Sequence, residues 1–488
     1  MVLSFEQKEE IGLKYVQDRL EPAGPYGVKY LKHEGFYGPE RQKELEEELE
    51  NVALLIRMLK EQSQQLLDVQ HAISGLKDLS GTFRNLREQP LSEVELFELL
   101  AFCRRLEALL PMTEALEGYP LLRGTALQSP KAVLEILDPE GDSPAGFYVE
   151  DHRSPALLRA REAKREAERA LRAAEGEKEK LLQRRQEAAL AEEEALNRIY
   201  REVTEALRPH GDLLEANAAA IGRLDAGIAK AVLARRWNCV RPRMGAPSLT
   251  LRDAFHPEVA EALEGRGRSF TPLSLGLPKG VSVLTGANMG GKSIALKTVL
   301  LNTALVLSGC FVFAQRAEIP LFSRIEIINR DFSNASQGLS SFGGEILRLK
   351  ETLERLKEGG LSLIVMDELA RGTNAREGAV IVRGTVRYLS DKNAVTLLAT
   401  HYDGAAGEGV RHYQVKGLGG ASLSPEAGEG PLGEAADGLR KIENAMDYGL
   451  IEVEAGTRCP QDALTICRLL GLPSDITEGW IEDEKRES

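Results

Sequence analysis

Gly286-Ala287-Asn288-Met289-Gly290-Gly291-Lys292-Ser293 decides how the rest of this 488-residue chain is read. The stretch fits G-x-x-x-x-G-K-[ST]. Its glycines let the backbone curl so that successive N–H groups face a phosphate. Lys292 supplies a cation to the β- and γ-phosphates, and the Ser293 hydroxyl can ligate Mg2+. An apolar strand, Val281 to Leu284, precedes it, and a helix is expected from Ile294 to Leu307, which points the helix N-terminus at the anion. These eight residues are the expected ATP-binding loop.

Further along the chain, Leu361-Ser362-Leu363-Ile364-Val365-Met366-Asp367-Glu368 reads as an apolar strand ending in two carboxylates. Such a pair can be no more than a turn. Downstream of a phosphate loop, Asp367 is expected to hold Mg2+ and Glu368 to orient or deprotonate an attacking water. A third strand, Val395 to Thr400, ends at His401, expected to sense the γ-phosphate or position the water. Ser336 to Glu345, rich in Gly and Ser, opens a helix running to about Glu358. A second anion-binding concavity beside an existing phosphate loop suggests a site completed in trans, although an ordinary capped helix start would look the same.

Short apolar runs alternating with helical stretches from Leu249 onward give an α/β domain with a mainly parallel sheet. Gly417 to Gly438 reads as a surface loop. Residues 1–130 read as helical: Leu45, Leu49, Val52, Ile56 and Leu59 fall on one helix face, and Ser92 with Glu95 forms a capping box for a second helix. Residues 131–152, with Asp138, Pro139, Gly141 and Pro144, read as a turn-rich hairpin. Residues 155–208 are dominated by Ala, Glu, Arg, Lys and Leu and polar on most faces. They are expected to form a long exposed helix or helical hairpin, either a solvated coiled coil or a lever arm that moves with the nucleotide site.

The net charge of −13 argues against a protein that coats nucleic acid over a large surface, while leaving room for a local basic groove. The five cysteines, Cys103, Cys239, Cys310, Cys459 and Cys467, show no zinc-ligand spacing and read as buried or incidental thiols. No apolar stretch is long enough for a membrane helix, and the charged N-terminus does not read as a signal peptide; a cytoplasmic location is the expectation.

Taken together, TGANMGGKS, GCFVFAQRAEI, GLSSFGGEI, MDELARGT and ATHY, in this order between about Phe255 and Pro473, resemble the MutS family of ABC-class ATPases. The resemblance implies a multidomain fold: an all-α core (1–152), a lever or coiled-coil arm returning to it (153–240), and a C-terminal α/β P-loop ABC-type ATPase domain (241–488). It implies ATP and Mg2+ as cofactors and two sites at the interface of a homodimer or heteromeric assembly. Ser340 would reach the partner's γ-phosphate, Arg371-Gly372-Thr373 would line the interface, and Phe270 would stack on adenine. No mismatch-reading domain with an aromatic–x–Glu wedge precedes the helical core in this sequence, and nothing after residue 475 resembles a helix-turn-helix or nuclease, so a self-sufficient mismatch detector is not expected. FHPEV (255–259), GLSSFGGEI (338–346), ATHYDG (399–404), RHYQVKGL (411–418), MDYGLIEVE (446–454), PQDAL (460–464) and PYGVKYL (25–31) resemble the MutS-like ATPase subunit of reactivating factors for adenosylcobalamin-dependent lysine or ornithine aminomutases. The expected function is therefore ATP-driven remodelling of a client. An aminomutase is the first candidate; the alternative is a DNA-binding MutS homologue acting on mismatched, branched or recombining DNA, for which Arg184 and Arg185 are the candidate contacts.

Overall fold

The computed structural model describes residues 3–33, 35–139, 149, 154–173, 178–286, 291–329, 341–417, 446–459, 466–467 and 472. The N-terminal half is helical: α1 (Phe5–Glu10), α2 (Leu13–Gln17), α3 (Pro25–His33), α4 (Gln42–Glu61), α5 (Ser63–Ser74), α6 (Ser80–Glu88), α7 (Glu93–Glu114), α8 (Lys131–Leu137), α9 (Pro155–Ala173), α10 (Lys178–Leu207) and α11 (Gly211–Arg236). Strands and helices then alternate: β1 (Arg243–Met244), β2 (Leu249–Ala254), α12 (Pro257–Glu264), β3 (Leu273–Leu277), β4 (Gly280–Thr285), α13 (Lys292–Leu307), β5 (Arg316–Ile319) and β6 (Arg324–Ile328). The last are α14 (Ser341–Arg355), β7 (Ser362–Asp367), α15 (Ala375–Leu389), β8 (Ala394–Ala399), β9 (Arg411–Gly417) and β10 (Asp447–Val453).

Two compact units result. One is Glu21–Glu34 with Glu50–Val232; the other gathers Met1–Leu20, Gly35–Leu49 and Leu233–Ser488.

In the helical unit, Leu66, Val69 and Ile73 of α5, Leu96, Leu99, Cys103 and Leu106 of α7, and Ile221, Leu224 and Ile228 of α11 build one core. α7 starts where its capping box places it: the Ser92 hydroxyl accepts from the Glu95 N–H, and the Glu95 side chain reaches back to the Ser92 N–H. The Asp225 carboxylate of α11 accepts from the N–H groups of Ala23 and Gly24, both at 2.8 Å, fixing the approach to α3. Burial pushes its pKa up to about 6 against those two hydrogen bonds.

The stretch 155–208 forms a helical hairpin. Arg161 and Lys164 pair with Glu192 at 3.1 and 2.6 Å, and Glu168 with Arg185 at 3.3 Å. One member of each pair rises in number as the other falls, so α9 and α10 run antiparallel. Small buried residues, Ala160 and Ala167 of α9 and Ala188 and Ala195 of α10, line the hairpin. The expectation of a hairpin over 131–152 is corrected at its start: Lys131–Leu137 is the helix α8, following Pro130 and burying Val133 and Leu137. Proline is compatible with a helix start, and the turn residues from Asp138 mark where this helix stops rather than the inside of a hairpin. The other turn residues of that segment that gave the expectation, Gly141 and Pro144, lie outside the described residues, as does most of the Gly417 to Gly438 loop.

In the α/β unit a six-stranded sheet has the order β10-β9-β4-β8-β7-β6, parallel throughout except for β10. β4, β7 and β8 are buried over almost their whole length, as expected of parallel strands covered on both faces. A four-stranded sheet, β1-β5-β2-β3, lies in the same unit. Leu3, Ile11, Leu13 and Val16 from the chain's beginning join a core with α13 and strands of both sheets. Among the described residues no helix is long and apolar enough to cross a membrane, and the five cysteines are free thiols, Cys103 and Cys310 buried.

Candidate functional site

Because β4, β8 and β7 are adjacent and parallel, the loops that follow them open on one edge of the sheet. Leu284, Ala399 and Asp367 stand level across the three strands, so Gly286, His401 and the Asp367–Glu368 pair emerge together. Carboxyl ends of parallel strands are where α/β sheets bind ligands. The turns are tied to one another: the Glu368 N–H donates to the Ala399 carbonyl and the Thr400 N–H to the Leu284 carbonyl, both at 3.0 Å.

Gly291 caps α13 in the left-handed conformation, at φ +85°, which only glycine adopts without strain. The helix thus starts at Lys292, two residues before the expected start at Ile294. The Lys292 side chain, 4% exposed, donates from Nζ to the Gly286 carbonyl at 2.7 Å and lies 3.6 Å from Glu368 Oε1. Burial lowers its pKa, opposed by Glu368 and Asp367. The other Glu368 oxygen accepts from Arg371 at 2.6 Å. Glu368 itself sits at φ +52°, a conformation that tight surroundings must hold.

Asp367 is pushed up by burial, while a hydrogen bond from the Ser293 hydroxyl pulls the other way. Its Oδ1 is buried and has no hydrogen-bond partner among the described residues. His401 stacks at a tilt on Tyr402, with ring centroids 4.3 Å apart, and its Nδ1 is likewise buried without a partner among the described residues. Burial lowers its pKa, offset by Glu368. Gly286, Lys292, Ser293, Asp367, Glu368 and His401 are therefore brought to one place. Phe270 is half-buried in the segment before β3, and no described contact joins it to this group. Ala287, Asn288, Met289, Gly290 and Ser340 lie outside the described residues.

Residues 282–419 match the family model of MutS domain V. The DNA mismatch repair protein MutS of Natronomonas pharaonis is 34% identical over 206 residues, covering 42% of this chain and 23% of that protein. Endonuclease MutS2 of Thermus thermophilus is 31% identical over 304 residues, 61% of this chain and 36% of that protein. Endonuclease MutS2 of Carboxydothermus hydrogenoformans is 31% identical over 214 residues, 43% of this chain and 27% of that protein. The chain is thus homologous to MutS and MutS2 proteins over the aligned residues, and the alignments span between 23% and 36% of these relatives.

Within the MutS domain V region, sequence reasoning missed the pairing of Arg371 with Glu368, three residues apart in a loop that periodicity does not resolve. Beyond that region it also missed Tyr448 of β10, whose ring lies against Gly291: a Cβ at that glycine would come within 3.0 Å of it. The run MDYGLIEVE carries a family likeness, and nothing local in it signals a contact across more than 150 residues of chain.

Proposed function

We propose that this chain is a MutS-type ATPase that couples ATP binding and hydrolysis to remodelling of a client, with DNA as the favoured client class. The observation that carries the nucleotide reading is the meeting of Lys292, Ser293, Asp367 and Glu368 at the carboxyl edge of the parallel sheet, at the N-terminus of α13. The donor set suits Mg2+: Asp367 has a buried oxygen with no described partner, and the Ser293 hydroxyl hydrogen-bonds to the same carboxylate. Hard oxygen donors of few protein groups are what that ion takes. Asp367 and Ser293 would hold it, and bound Mg2+ would neutralise charge developing on the phosphates.

The chain's own residues supply the rest. Lys292, now folded onto Gly286 and Glu368, would turn to the β- and γ-phosphates. Glu368, relieved of the lysine, would accept a proton from the attacking water, and His401 would hold that water or the γ-phosphate. Ser340 of one copy would complete the site of another.

For the client, the relatives carry the argument: the proteins similar to this chain are named for DNA mismatch repair and as endonucleases. The finer motifs and the net charge of −13 favour the second reading, an aminomutase reactivase. Steady-state ATP turnover decides between them, measured alone, with branched or mismatched DNA at low salt, and with a cobalamin-inactivated aminomutase. Stimulation by DNA that fades with added salt is the expected result. Stimulation by the mutase alone, with DNA inert, would overturn the DNA reading and establish the second.

A further inference from the structure

Ala370 is fully buried two residues past Glu368, and it sits at φ +65°, a left-handed conformation that a residue with a side chain keeps only when its surroundings impose it. Its peptide groups are held from two directions. The Ala370 N–H donates to Glu345 Oε2 at 3.1 Å, and the Ala370 carbonyl accepts from the Tyr402 hydroxyl at 3.0 Å. Glu345 lies near the start of α14, Ala370 in the loop after β7, and Tyr402 in the turn after β8. Each is close to a residue to which the proposed chemistry gives a part: Glu345 is five residues past Ser340, Ala370 two past Glu368, and Tyr402 next to His401. The approach of α14 to this loop is close at a second point, because a Cβ at Gly372 would meet the Phe342 Cβ at 3.0 Å and the Phe342 backbone at 3.6 Å. Glu345 is only 5% exposed. A carboxylate is placed so deep only at a cost that its hydrogen bonds must offset.

We infer that Glu345 and Tyr402 are positioning residues: together they clamp the Ala370 backbone through the peptides on either side of it, and so fix the loop that carries Glu368 relative to both α14 and His401. This rests on the reading of Lys292 and Glu368 as a nucleotide-processing pair. The clamp joins three segments distant in sequence through one buried residue. Misplacing a catalytic group by about 1 Å is enough to lower a rate by about a hundredfold.

The test uses the full chain with Glu345→Ala, Glu345→Gln and Tyr402→Phe. ATP turnover is followed beside binding of a fluorescent non-hydrolysable ATP analogue. Glu345→Ala is expected to lower kcat at least about tenfold while analogue affinity stays within about threefold. Glu345→Gln keeps an acceptor oxygen for the Ala370 N–H and should recover most of the rate. Tyr402→Phe should lower kcat as well, and the double variant Glu345→Ala/Tyr402→Phe should lose no more than Glu345→Ala alone, since both act through the backbone of one residue. Wild-type turnover in Glu345→Ala, a glutamine variant no better than the alanine one, or losses that multiply in the double variant would each overturn the clamp. If Glu345→Ala does not fold, Glu345→Gln and Tyr402→Phe carry the test: a near-normal kcat in the first and a lowered one in the second uphold the clamp, and the reverse overturns it. Lys292→Ala separates the two levels. Turnover that survives in Lys292→Ala defeats the nucleotide reading itself, whereas turnover lost there but normal in Glu345→Ala defeats only the clamp.

Discussion

Glu368 carries two cationic neighbours, Lys292 at 3.6 Å and Arg371 at 2.6 Å, and a backbone conformation few residues accept. A carboxylate held this way is oriented but engaged; nucleotide phosphates that draw Lys292 away would release one of its oxygens. Glu368→Gln removes the proton acceptor while keeping shape and hydrogen bonding. We expect turnover to fall about a hundredfold or more, with ATP bound at least as tightly, because the anion competing for Lys292 is gone. Single-turnover hydrolysis beside equilibrium binding checks this, and an unchanged rate would remove Glu368 from the chemistry. The acidic pair was legible in the sequence because an apolar strand and its terminal carboxylates are contiguous. Arg371 as its partner was not, since a loop's conformation decides which nearby side chains meet.

At the scale of elements, the first two helices are instructive. Gly12, between α1 and α2, adopts φ +76°, and a Cβ there would lie 2.4 Å from His256 Cε1. His256, 2% exposed, donates from Nε2 to the Ile11 carbonyl at 3.0 Å, so the turn and the histidine lock together. Gly12→Ala should cost roughly 2–4 kcal/mol, combining left-handed strain with overpacking, measured by denaturant unfolding. Burial pushes the His256 pKa down to about 4 from 6.5. In this pH window the unfolded chain binds the proton more readily. The stabilisation is therefore complete above about pH 6.5 and is lost as pH falls through about 4. His256→Gln, which keeps an N–H for Ile11 but cannot titrate, should flatten the fall in stability between those values. An unchanged pH slope would show that His256 does not set it. The helical arm, by contrast, was readable as helical in advance: Ala, Glu, Arg and Lys without a broad apolar face suit a long exposed helix or a helical hairpin, and the structure decided for the hairpin.

For the whole molecule, the question is whether one copy suffices. If Ser340 of one copy completes the site of another, Ser340→Ala and Lys292→Ala are each inactive alone, yet a mixed dimer holds one intact site. Equal mixing should then restore about a quarter of the wild-type rate. No recovery, with mixed dimers shown to form, would make each site self-contained.

The sequence by itself determined the parts whose physics is local: the strand and the helix on either side of Gly286 to Ser293, the carboxylates at a strand end, the capped α7, the helical character of the arm. Each depends on neighbours within a few residues, through backbone curl, period or capping. Only the tertiary structure decided that Leu3, Ile11, Leu13 and Val16 belong to a core built around α13, that Tyr448 lies against Gly291, and that Glu345 and Tyr402 meet at Ala370. Those contacts depend on strand order: the sheet β4-β8-β7 sets side by side loops separated by tens of residues. No periodicity along the chain encodes which strand will lie beside which.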